Sequence, residues 1–262
     1  MAEGESLGRK AGVLDGLHGY FRSHVTRLHR TCELFGLFSD NLGDVLEIGP
    51  FFGYTPFLLR KQSSAYTVLE GNDPVVRPLE AVYRQQDIAL NYVDFFELFG
   101  PTRTAPHRLP LADAAYDTIL CWETMEHFNF NPVKFVRELH RVLKPGGRVC
   151  ITVPNNASLQ HIFTLLSGRD EKSIIESYFQ AEDYVSDGKK AFYGFHWREY
   201  SAPQLASLFA GAGFKVQAGG SFVAFRDHEH LGVPRRFARF LQRTATVCFR
   251  RFGTNVYVIA SK

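Results

Sequence analysis

No run of apolar residues in this sequence approaches the roughly 18 needed to span a bilayer, and the N-terminus has no apolar signal core. Both absences set a soluble, cytoplasmic chain as the expectation. The four cysteines (Cys32, Cys121, Cys150 and Cys248) show neither metal-ligand spacing nor a disulfide framework, which fits a reducing compartment. Charge is nearly balanced: the formal excess is only +3, too little to argue for nucleic acid by itself. Internal repeats and low-complexity tracts are missing as well. What is present is ordinary globular composition, 45% hydrophobic and 22% charged over 262 residues, enough for one α/β domain with a full core.

Residues 1–40 divide into a loose tail (1–12) and one or two helices, because Leu14, Leu17, Tyr20, Phe21, Val25, Leu28 and Leu34 fall near helical spacing. From 41 to 262 strands and helices alternate. Strands are expected at 44–48, 65–70, 88–93, 116–121, 148–153, 214–218 and 255–260, with helices at 55–61 and 78–86 and a long polar loop over 95–112. Asn131-Pro132 offers a cap and a first-turn proline for a helix whose core face is Val133, Val136, Leu139 and Leu143, ended by Pro145-Gly146-Gly147. Ser201-Ala-Pro-Gln204 has the capping-box pattern and opens a helix through Leu205, Leu208 and Phe209. This alternation predicts a mostly parallel sheet with helices on both faces.

Two stretches are not needed for that sheet. Residues 155–195 are rich in aromatics and fall at the carboxyl edge of the strands, so they are assigned as a substrate cap; packing of a satellite helix is the alternative. Residues 234–251 place Phe237, Phe240, Leu241, Thr244 and Cys248 on one helical face and Arg236, Arg239 and Arg243 largely on another. Such a basic helix either lies on an anionic membrane or acidic substrate, or simply solvates a charged face.

The chemistry concentrates at strand ends. Val45-Leu-Glu47-Ile-Gly49-Pro-Phe51-Phe-Gly53 is a buried strand running into a glycine turn before a helix, an arrangement that brings backbone N–H groups to a nucleotide-like ligand. A second strand ends in Glu70. The fourth runs Tyr-Asp-Thr-Ile-Leu-Cys-Trp122-Glu123 into Thr-Met-Glu126-His127, and Leu143-Lys-Pro-Gly-Gly147 and His196-Trp-Arg-Glu-Tyr-Ser201 follow. In this order the blocks resemble the class I S-adenosylmethionine-dependent methyltransferases, in their broad type 11/type 23 branch, from about Val45 to Phe214. The chain departs from that pattern at Phe51, where the family usually has a glycine that lets backbone approach the ligand.

The resemblance implies a Rossmann-like, doubly wound α/β fold of seven strands with the last antiparallel, N-terminal helices lying over the cofactor as a lid, and S-adenosylmethionine as cofactor. It implies Glu70 as the acid on the ribose hydroxyls, Glu47 as an indirect support of the cofactor's amino end, and Gly49 and Gly53 as backbone room. Asp94 is the candidate for the adenine amino group, with Asp113 as fallback, and Trp122 packs near the cofactor or in the core.

Glu123-x-x-Glu126-His127 leaves two readings open. In one, Glu123, Glu126, His127 and His196 hold Mg²⁺ or Mn²⁺, which suits carboxylate and imidazole ligands and resembles metal-dependent catechol methylases and small-RNA 2′-O-methyltransferases. In the other no metal takes part, Glu126 is structural, and His127 or His196 is the general base on an acceptor hydroxyl, with Glu123 a third catalytic candidate. The expected activity is methylation of a small-molecule acceptor, with a sugar, polyketide or phenolic hydroxyl first in line, by in-line transfer. The alternatives are an RNA 2′-O-methyltransferase and a non-catalytic cofactor-binding or scaffold module. An NAD-dependent oxidoreductase is disfavoured because the glycine turn lacks Gly-x-Gly-x-x-Gly spacing.

Overall fold

The computed structural model describes residues 24–51, 54–71, 76–100, 107–168, 185–186, 189–190, 196–223, 244 and 250–262. A helix over 24–34 (α1) precedes β1 (Gly43–Ile48), α2 (Tyr54–Leu59), β2 (Ser63–Glu70), α3 (Glu80–Gln85) and β3 (Ile88–Tyr92). Then come α4 (Phe95–Phe99), β4 (Tyr116–Trp122), α5 (Pro132–Val142), β5 (Leu143–Pro154) and α6 (Leu159–Leu166). A two-residue hairpin, β6 (Val185–Ser186) with β7 (Lys189–Lys190), leads to α7 (Ala202–Gly211), β8 (Lys215–Phe222) and β9 (Asn255–Ser261).

The main sheet has seven strands in the order β3-β2-β1-β4-β5-β9-β8. Strands β1 to β5 pair in parallel, and β9 runs antiparallel to both β5 and β8. This is the doubly wound sheet with an antiparallel last strand that the sequence led us to expect. The order reverses between β1 and β4, so their carboxyl ends open a crevice of the kind in which α/β proteins bind ligands.

Strand residues alternate between two apolar layers because successive side chains point to opposite faces. Leu46, Ile48, Ile119, Cys121, Val149, Ile151 and Val258 face α4, α5 and α7. Val45, Leu120, Trp122, Cys150 and Tyr257 face α1, α2 and α3. Such two-sided burial explains why the central strands read as nearly continuous apolar runs. On the first layer Phe135 is fully buried, with ring centroids 4.9 Å from Phe128, 5.7 Å from Phe99 and 6.0 Å from Phe95.

Caps behave as their residues dictate. Asn131 accepts from Val133 N at 3.0 Å with Pro132 in the first turn of α5. Ser201 and Gln204 complete a reciprocal capping box on α7. Three boundaries differ from expectation. The 95–112 loop contains α4, because Asp94 accepts from Glu97 N and starts a helix that buries Phe95, Leu98 and Phe99. Helix α5 stops at Val142, since Leu143 is already extended and begins β5 ahead of Pro145-Gly146-Gly147. Strand β8 reaches Phe222, its last residues held by β9.

The tail, Gly53, most of the aromatic cap and nearly all of the basic stretch 234–251 lie outside the described residues. Among the described residues no helix is long and apolar enough to cross a membrane.

Candidate active site

The site is built where β1, β2 and β4 end. At the end of β1, Gly49 takes a left-handed φ of 63°, and a Cβ there would meet the Thr124 side chain at 2.8 Å. A glycine is therefore required to let β1 turn beneath the loop after β4. Phe51 is also left-handed, at φ 55°, a conformation that costs a side-chain-bearing residue about 1–2 kcal/mol. Its N–H donates to Glu70 Oε2 at 3.0 Å, and Gly71 N donates to Oε1 at 3.2 Å. At the departure from the family pattern the bulky residue is thus accommodated in a left-handed backbone, with the Glu70 carboxylate holding the turn's N–H. Glu70 is buried at the carboxyl end of β2.

Glu47, two residues before Gly49 on β1, is fully buried on the α1–α2–α3 face. It accepts from the Thr55 hydroxyl and, at 2.5 Å, from the Tyr66 hydroxyl. Burial pushes its carboxyl up to about 7, against those two hydrogen bonds, which favour the charged form. The Trp122 indole N–H lies near it but outside normal hydrogen-bond geometry. Trp122 itself is core, its ring centroid 5.1 Å from Phe35 of the segment after α1.

At the end of β4 the expected four-ligand group divides in two. Glu123 is left-handed (φ 47°) and turns to the N-terminal helix, where its Oε2 accepts from Arg27 Nη1 at 3.1 Å and from Asn255 Nδ2 at 2.7 Å. Glu126, His127 and His196 instead come together, with one ligand atom of each lying within 4.8 Å of the others. His127 is on the 3₁₀ turn after β4. His196 is delivered by backbone: Trp197 N and Arg198 N both donate to Glu126 O, at 2.7 and 3.3 Å. The two imidazoles meet edge to face, 5.0 Å between centroids. Glu126 is almost fully buried, and among the described residues its Oε2 has no hydrogen-bond partner. Burial and the Glu123 charge hold its carboxyl well above the usual range.

Glu199 Oε1 pairs with His196 Nδ1 at 3.3 Å and its Oε2 with His161 Nδ1 at 3.5 Å. Arg27, Asn255, Glu199 and His161 are therefore site residues that the sequence reading passed over. Glu199 sits inside a quoted block, but no sequence signal joins it to His161, 38 positions earlier. The two adenine candidates are otherwise engaged. Asp94 caps α4, and Asp113 pairs on the surface with Arg108 and Arg141, the latter holding it below the usual range.

A Rossmann-like sheet with a glycine turn after β1, a buried acid ending β2 and an ionisable cluster after β4 defines the class of S-adenosylmethionine-dependent methyltransferases. The comparisons agree: the chain belongs to the methyltransferase domain family, whose model matches residues 20–218. It is 28% identical over 174 residues to a probable S-adenosylmethionine-dependent methyltransferase of Mycolicibacterium smegmatis, covering 66% of this chain and 52% of that protein. A similarly named Mycobacterium tuberculosis protein is 31% identical over 106 residues, covering 40% and 29%. The chain thus spans about half, or less, of the length of these relatives.

Among solved structures, it resembles a chain of the Haloferax volcanii complex between the Trm112 methyltransferase activator and a methyltransferase. The TM-score is 0.60 at 18% identity, with 96% of each chain covered. The S-adenosylmethionine-dependent methyltransferase of Mesorhizobium loti gives 0.55 at 15% identity, with 88% and 96% covered. These likenesses concern the fold. The residues at the ends of β1, β2 and β4 fit the family's cofactor, offering an acceptor carboxylate in Glu70 and, among the described residues, a buried acceptor atom without a hydrogen-bond partner in Glu123.

Proposed function

We propose that this chain methylates a hydroxyl oxygen of a small molecule, with His196 as general base. S-adenosylmethionine supplies the electrophilic methyl carbon. Glu70 would accept from its ribose hydroxyls, with Gly49 giving the backbone room, while Glu47 supports the turn from beneath through Thr55 and Tyr66. The carrying observation is the His196–Glu199 pair beside His127 at the carboxyl end of β4. With Nδ1–H donated to Glu199, His196 presents Nε2 as a proton acceptor. His127 lines the same opening and would orient the acceptor. The free, buried thiols of Cys32, Cys121 and Cys150 fit a reducing cytoplasm.

A second reading is favoured by the orphaned Oε2 of Glu126: Glu126, His127 and His196 would hold Mg²⁺ or Mn²⁺, with Glu199 orienting His196 from behind. Glu123, committed to Arg27, takes no part in that set. Burial and the Glu123 charge hold the Glu126 carboxyl well above its usual range, so metal binding, which takes the carboxylate, would strengthen as pH rises.

The test is transfer of labelled methyl from S-adenosylmethionine to a panel of sugars, phenols, polyketides and a short RNA, with and without EDTA. We expect a small hydroxyl acceptor to be labelled, EDTA to have no effect, and His196→Ala to lower the rate on the order of 10²–10⁴-fold. Loss in EDTA restored by Mg²⁺ would move the metal reading to first place. Labelling of RNA alone would overturn the small-molecule acceptor, and cofactor binding without any transfer would leave a scaffold.

A further inference from the structure

Helix α6, Leu159-Gln-His-Ile-Phe-Thr-Leu-Leu166, reverses the usual arrangement of a surface helix. At about 100° per residue, Leu159, Ile162, Phe163, Leu165 and Leu166 span one arc of about 160°, and Gln160, His161 and Thr164 form the polar edge. A surface helix ordinarily buries its apolar stripe and turns its polar face to water. Here none of the 8 residues is buried, and Phe163, Leu165 and Leu166 are 66%, 69% and 79% exposed. Leu34 and Val82, the other exposed large hydrophobic side chains among the described residues, reach only 42% and 40%. Single exposed apolar residues need no explanation, but three on two turns of one helix mark an interaction surface.

The helix is held at its N-terminal end and by its polar edge. Ser158 Oγ accepts from His161 N at 3.3 Å, and His161 Nδ1 pairs with Glu199 Oε2 at 3.5 Å. The chain entering α6 is fixed at Asn155, whose Nδ2 donates to Gly253 O at 2.7 Å and to Arg251 O at 3.3 Å. This last contact brings the end of the basic stretch to the foot of α6. The Arg251 side chain is exposed, and the stretch it closes, 234–251, carries six arginines and no acidic residue. An exposed apolar face and an exposed cation therefore adjoin.

We infer that α6 docks this chain on an anionic lipid surface, with Phe163, Leu165 and Leu166 entering the boundary between headgroups and acyl chains and Arg251 meeting the lipid phosphates. Apolar area and cationic charge act together in that mode of binding. The area decides against a second copy of the chain: an eight-residue helix presents on the order of 100–200 Å², whereas a stable protein–protein interface takes about 800 Å² from each partner. His161 of α6 and His196 share Glu199, so the docked face adjoins the candidate active site. Docking needs neither cofactor nor acceptor and stands apart from the methyl-transfer reading.

Flotation of the full chain with vesicles, without S-adenosylmethionine, tests the docking. We expect the chain to float with vesicles of phosphatidylcholine mixed with phosphatidylglycerol, to stay behind with phosphatidylcholine alone, and to be released by high salt. Phe163→Gln combined with Leu166→Gln should lower the partition coefficient at least about 10-fold, through lost apolar burial. Arg251→Gln should lower it about fivefold, the share of one cation at an anionic surface. Val82→Gln, at an exposed apolar residue of α3, should leave it unchanged.

Absence of flotation with the anionic vesicles would overturn the docking, as would equal flotation with neutral ones or an equal loss in Val82→Gln. A dimer in sedimentation that the Phe163 and Leu166 changes dissociate would give the face to a second copy instead. A large drop in unfolding midpoint from the same changes, without vesicle binding by the unmodified chain, would give it to packing within this chain. The salt and lipid-composition series on the unmodified chain decides the matter even if the variants fold poorly.

Discussion

Replacing Glu47 by glutamine should remove the share of a stability loss, suffered as pH rises toward 7, that this one buried carboxyl causes. In the folded chain this carboxyl is fully buried and reaches about 7 from an ordinary 4.5, burial outweighing the hydrogen bonds from Thr55 and Tyr66. Between those two values the folded state holds a proton that the unfolded chain has released. The unfolded state binds fewer protons there, so stability falls with rising pH: the contribution is full below 4.5 and gone once pH passes about 7. At about 1.36 kcal/mol per pH unit, the interval is worth about 3 kcal/mol. Glutamine cannot titrate, and both hydroxyls can turn to meet its amide. Glu126 is raised in the same sense, but it is present in both proteins and its effect cancels in their difference. Urea unfolding of both proteins at pH 5, 6, 7 and 8 reads the quantity directly. The stability of the wild type minus that of Glu47→Gln should fall by about 2.5 kcal/mol across the series, which begins half a pH unit above the unfolded value. Parallel curves would show that Glu47 is ionised in the fold, and the account of a buried, protonated acid beneath the cofactor turn would fail.

Other perturbations have smaller, local signatures. Ser201→Ala removes half of the capping box on α7 and should lower stability by about 1 kcal/mol, seen as a reduced unfolding midpoint in urea. Phe51→Gly releases the left-handed strain at φ 55° and should raise the thermal midpoint, by about 1 kcal/mol of stability; a lower midpoint would mean that Phe51 packing outweighs its strain. Phe135→Ala should cost about 3–5 kcal/mol in chemical denaturation, because its site among Phe95, Phe99 and Phe128 cannot collapse fully.

Sequence periodicity carried far in the sheet. Strands β1, β2 and β4 begin and end within about two residues of where alternation and turn signals put them, because each is apolar on both faces and bounded by a turn or an acid. The caps at Asn131 and Ser201 were legible for a local reason: a cap is a contract between residues two or three apart. Helix α4 was hidden by proximity to polar loop residues, since its five residues are too few to show a period. In the site, the Glu126–His127 dipeptide and the His196 block stood out by their order along the chain, yet their convergence depends on Trp197 and Arg198 docking on the Glu126 carbonyl.

The sequence by itself determined the sheet, its parallel character, the glycine turn of β1 and the acid that ends β2, because these follow from side-chain period and backbone freedom over a few residues. Tertiary structure decided which acid does what. Glu123 and Glu126 are three residues apart and chemically alike, but a left-handed φ of 47° sends Glu123 to Arg27 and Asn255, while Glu126 stays with His127 and His196. It also brought Glu199 and His161 together and lifted Glu47 toward neutrality, since proximity across long chain separations and exclusion of water exist only once the layers have packed.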